Sequence, residues 1–88
     1  MNLPNFKGKF LSISLIDDSN SHDLFDPYFE IQGDRLFLIG TIPKGSTESD
    51  WVADKIGAVA WDRVTDYYVF DSLGGYNQAV KKSEEYHS

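Results

Sequence analysis

The sequence contains no cysteine, so neither a disulfide nor a thiolate metal site can hold the chain together. Small secreted domains usually depend on such staples, which makes a reducing cytoplasm the expected location. Long hydrophobic runs are missing too: a membrane helix needs about 20 apolar residues, and the runs here are only a few residues long. No membrane association is expected. Met1 is followed by Asn2, Leu3 and Pro4, without the basic and apolar stretches of a signal peptide. Positive charge is scarce in one region above all. From Phe10 to Asp34 there are six acidic residues (Asp17, Asp18, Asp23, Asp26, Glu30, Asp34) and no Lys or Arg. The remainder holds eight residues of each sign, so this segment carries the whole net charge of −6. Nucleic-acid phosphates are bound by clustered Lys and Arg, so no nucleic-acid partner is expected.

What is present describes a folded chain. The 88 residues, 41% hydrophobic and 15% aromatic, are too few for two cores and too apolar for disorder, so one domain over residues 1–88 is expected. Residues 9–16 alternate, with Leu11, Ile13 and Leu15 on one side and Ser12 and Ser14 on the other, the period of a half-buried strand. Residues 17–26, rich in Asp, Ser, Asn and His and bounded by Pro27, read as a loop. The strongest local signal follows. Residues 28–32 and 35–42 are strand-like runs separated by Gly33-Asp34, a turn that supplies the positive φ of a tight hairpin. A two-residue loop pairs Ile31 with Leu36 and Phe29 with Leu38 on one face. Gln32 then meets Arg35, Glu30 meets Phe37 and Tyr28 meets Ile39 on the other.

Beyond Pro43 the signals mix. Residues 44–50 read as a polar loop, and Val52, Ile56 and Val59 fit a helical stripe with Ser49 as N-cap, but Gly57 interrupts it. A helical turn over residues 50–55 and a strand over 58–62 reconcile the two. Residues 67–70 form an aromatic, β-branched strand. Asp71 or Ser72 then caps a helix with Leu73, Tyr76 and Val80 as its stripe and Lys81 and Lys82 at its C-terminal end. The expected fold is α+β: a curled antiparallel sheet of four to five strands, or a small barrel, with a C-terminal helix.

The chain carries little chemistry. The oxygen-rich loop from Asp17 to Asp23 suggests calcium, but neither EF-hand frame supplies Gly at position six and Glu at position twelve. His22 and His87 are the only histidines, and His87 lies in the C-terminal tail, too little for a transition-metal site. No nucleophile motif, Gly-rich phosphate loop or H-E-x-x-H occurs, so neither an enzyme nor a cofactor is expected.

The notable feature is aromatic. Trp61, Tyr67, Tyr68 and Phe70 are interleaved with Asp62, Asp66 and Asp71. Alternation sends Tyr68 to one face of the strand and Tyr67 to the other. A buried strand with tyrosines at its edge is the favoured account of this run, since aromatics are commonest in cores, and a carboxylate-rimmed binding surface is the alternative. Trp51, between Asp50 and Asp54, is expected to fold over the core as a lid, the alternative being an exposed anchor. The candidate surface comprises Trp51, Trp61, Asp62, Asp66, Tyr67 and Tyr68. Its expected role is to meet a basic protein, as in an inhibitor, immunity protein or adaptor, or to pair two copies as a homodimer. The alternative is a small-molecule binder whose aromatic, acid-lined pocket takes a cationic ligand.

Overall fold

Five antiparallel strands and one helix follow each other along the chain, and the structure, a computed structural model, describes residues 3–46 and 50–87. The strands are β1 (Phe10–Leu15), β2 (Ser21–Gln32), β3 (Arg35–Thr41), β4 (Ile56–Ala60) and β5 (Val64–Phe70). A 3-10 turn, Trp61–Arg63, joins β4 to β5, and helix α1 spans Leu73–His87. In the sheet the order is β4-β3-β2-β1-β5, so the last two strands lie at opposite edges. Flat, those edges would stand roughly 19 Å apart. Their three-residue link reaches at most about 14 Å. The sheet therefore curls, but it does not close into a barrel.

The hairpin forms in the register expected from its sequence: Gln32 opposite Arg35, Ile31 opposite Leu36, Phe29 opposite Leu38 and Tyr28 opposite Ile39. Gly33 has φ 67°, which a side chain would resist. The reading of residues 17–26 as a loop is corrected. Only the segment up to Asn20 turns, and β2 runs from Ser21 through Pro27 to the hairpin, its first half paired with β1. Proline is tolerated because the β2–β3 ladder shifts between Phe25 and Tyr28. That extra residue matters for packing. Without it Leu24 and Phe29, five positions apart, would face opposite ways; with it both join the same core. At this bulge β2 comes so close to β3 that a Cβ on Gly40 would sit 2.9 Å from the Phe25 carbonyl oxygen. Glycine is what lets the two strands approach.

The inner face of the curl holds Leu11, Ile13, Leu24, Leu38 and Val59, with Phe6 from the segment before β1 packed among them. The outer face begins with an aromatic row. Phe10 stands opposite Phe25 on β2 and opposite Phe70 on β5, and the Tyr76 ring stacks on Phe10 at 5.1 Å. Helix α1 thus covers the outer face. Ser72, one of the two expected caps, accepts a hydrogen bond from the Gly75 amide at 3.1 Å, while Asp71 pairs with Lys9 instead. The helical stripe is corrected: Leu73 is exposed, and Tyr76, Ala79 and Val80 face inward. Nor do Lys81 and Lys82 end the helix, which continues to His87.

The stretch before β4 is a turn, as read, with Ala53 and Lys55 amides bonded back three residues to Asp50 and Val52. The proposed Ser49 cap lies outside the described residues. The strand after it begins and ends two residues early, because Trp61 and Asp62 enter the 3-10 turn. No helix among the described residues is long and apolar enough to cross a membrane.

Candidate functional site

Strand β5 bonds to β1 along one edge, and among the described residues its other edge carries no strand. Residues 65–69 are all exposed, which is uncommon for a strand so rich in aromatic and β-branched side chains. Pairing places them. Tyr67 is opposite Ile13 and Val69 opposite Leu11, so both lie on the inner face, while Tyr68 is opposite Ser12 and Asp66 opposite Ser14, on the outer face.

The six residues singled out in the sequence therefore do not form one surface. Trp61 and Tyr67 come together, their ring centroids 6.0 Å apart, and both belong to an inner-face aromatic group. In that group Phe29 meets Trp61 edge-on at 5.0 Å and Phe6 meets Tyr67 at 5.2 Å. Trp61 is half-buried there. Tyr68 and Asp66 occupy the opposite face, and Tyr68 is 66% exposed. Asp62 is held by Arg35 at 2.9 Å, so part of the acidic rim is already neutralised. Trp51 is not a lid. It is 77% exposed and borders a cavity with His22, Ala58 and Val59, separated by the length of β4 from Trp61. The i, i+2 alternation of β5 and the turn at Trp61–Arg63 are what scatter the set.

A second site was not anticipated. Between α1 and the outer face lies a cavity of about 260 Å³, bordered by Ser12, Ser21, Asp23, Ser46 and Tyr76 on its polar side. The Tyr76 hydroxyl donates to Asp23 Oδ2 at 2.6 Å. Asp23 Oδ1 is buried as well, and among the described residues it has no hydrogen-bond partner. Burial first, then the hydrogen bond to Asp23 and its negative charge, push the Tyr76 phenol well above the ordinary tyrosine range. The phenol is thus a permanent donor, neutral at any physiological pH. It satisfies one carboxylate oxygen but supplies no positive charge. A carboxylate oxygen taken out of water is ordinarily hydrogen-bonded, and on this half-buried aspartate only one of the two oxygens has a donor among the described residues. The sequence offered Tyr76 in the helical stripe and Asp23 in an oxygen-rich stretch, but that stretch reads as a loop, which hides that Asp23 lies on a strand facing α1.

His22 and Asp18 pair across the β1–β2 turn at 2.8 Å. The Asp18 carboxyl is held below its usual range, first by the hydrogen bond from His22 and then by the Asn20 amide. Among the described residues no three His, Cys, Asp or Glu side chains converge on a common point. No protein-family model, curated protein or solved structure matches the chain.

Proposed function

We propose that the protein is a non-enzymatic binding module that takes a basic, extended segment of a partner protein along the open edge of β5. The observation that carries this reading is the unpaired edge itself, with residues 65–69 exposed in succession and only one charge, Asp66, on the strand. Exposed edges are templates for strand addition, in which main-chain hydrogen bonds give affinity and flanking side chains give choice. Here the flanking choice favours cations. Asp66 meets no cationic side chain among the described residues, and the whole chain carries net charge −6. Tyr68 adds the kind of flat, amphipathic surface on which Lys and Arg stems lie. A reducing cytoplasm is the setting we assign, because a chain without cysteine gains nothing from an oxidising one.

The test is a photo-crosslinking residue placed at the exposed Val69, with Tyr68→Lys as the second change in the same chain, which blocks both pairing and positive charge. Crosslinks to a basic segment of another protein, lost in Tyr68→Lys while the melting temperature holds, support the reading. Crosslinks only between copies, with a dimer in light scattering, would replace the foreign partner by a homodimer. Partner binding that survives Tyr68→Lys moves the interface elsewhere and defeats it.

A further inference from the structure

We propose that the cavity between α1 and the outer face of the sheet binds a primary alkylammonium group, with the Asp23 carboxylate as its counter-ion. The site lies on the outer face beside β5, whose Phe70 borders it, and takes its ligand through Asp23 rather than through the strand edge.

Three features define what fits. The first is Asp23, whose side chain borders the cavity and whose Oδ1 is an acceptor without a partner among the described residues. A carboxylate in that state gains most from a donor that also brings positive charge, since charge-assisted bonds are roughly twice as strong as neutral ones. Among the residues bordering the cavity there is no Lys, Arg or His. None of these side chains supplies the charge.

The second is the occupation of the other oxygen. Tyr76 already donates to Asp23 Oδ2 at 2.6 Å, so a guanidinium fork would have to share that oxygen with the phenol. An ammonium needs one carboxylate oxygen and can offer its remaining hydrogens to hydroxyls. Ser12, directly opposite Asp23 in the β1–β2 register, and Ser21 both border the cavity. The arrangement therefore selects ammonium over guanidinium, and over quaternary ammonium, which has no N–H to give.

The third is the remaining wall. Phe70, Ala79 and Val80 border the cavity on its apolar side and suit a short aliphatic stem. About 260 Å³ lies just below the range of drug-sized sites, so the ligand is small, a free alkylamine or the end of a lysine side chain.

Amide chemical shifts of the intact chain, followed during titration with n-butylamine hydrochloride, test the proposal. Saturable shifts at Asp23, Tyr76 and Ala79 are expected, with butylguanidinium and n-butanol each weaker by about tenfold or more, the factor that one charge-assisted bond carries. Asp23→Asn, folded as judged by its spectrum, should weaken n-butylamine to a similar degree. Ala79→Leu, which fills the cavity and leaves the carboxylate in place, should abolish binding. A parallel titration with lysine blocked at both backbone ends separates the sources. Binding at least as tight as that of n-butylamine identifies a protein-borne lysine, and binding of n-butylamine alone identifies a free amine. Shifts that do not saturate, equal binding of n-butanol, or full binding by either variant would overturn the proposal.

Discussion

The two faces of the sheet bury their groups on different terms. On the inner face Leu11, Ile13 and Leu38 are wholly out of solvent within an apolar cluster whose members satisfy one another. On the outer face the aromatic row of Phe10, Phe25 and Phe70 is equally apolar, but one step along the strands it gives way to Ser12 and Asp23. The same helix that covers the row carries the tyrosine that clamps the carboxylate. An apolar group is satisfied by any close neighbour, because the hydrophobic effect has no direction. A carboxylate is satisfied only by donors in the right places, and here one oxygen has none among the described residues. The inner face therefore reports on stability, and the outer face on binding.

Substitutions should separate the two. Leu38→Ala, at a position 0% exposed in the middle of the inner cluster, should have the largest effect, a loss of about 2–5 kcal/mol in urea unfolding. A loss below about 1 kcal/mol would mean that the inner face is not the main core. Tyr76→Phe keeps the ring stack on Phe10 but removes the donor to Asp23, and should cost about 1–3 kcal/mol through the carboxylate left behind. The pH profile sharpens this. An acid whose pKa is raised on folding lends its stability fully below its unfolded value, near 10, and loses it as pH rises further. The native chain should therefore lose stability above about pH 10 more steeply than Tyr76→Phe does. Gly33→Val, at the hairpin and on neither face, should cost about 1 kcal/mol or more by opposing φ 67°. It should leave the amide shifts around Asp23 unmoved, and a shift there would show that the two faces are not separable.

How much of this was legible depends on how local each signal is. The hairpin was, because Gly33 and the aliphatic pairs specify turn and register within a few neighbouring residues. The first half of β2 was not. Its serine, histidine and aspartates look like turn residues, and only the bulge at Asp26, with φ 52°, lets the strand pass Pro27. Phe6 drew no notice in the sequence because no period marks a residue that packs from outside the strands. The candidate surface failed as a set for a different reason: nearness in sequence brought Tyr67 and Tyr68 together, and the pleat sent them to opposite faces. The pair that builds the outer cavity, Asp23 and Tyr76, is 53 residues apart, beyond the reach of any spacing rule.

The short link between the two sheet edges also bears on how the chain reaches its fold. Strand β1 is made first and lies inside the sheet, yet one of its neighbours is the last strand, so that Phe10 waits for Phe70. The β2–β3 hairpin closes over a few residues and can form early, on the microsecond scale of such turns. The β1–β5 pairing is the most non-local in the molecule and has to bear the entropy of closing that loop before it is rewarded. On a ribosome, β1 stays open along one edge until residue 70 has emerged. A nascent chain stalled before β5 would show to its surroundings the edge of β1, with Leu11 and Ile13 beside it, where the finished protein shows that of β5.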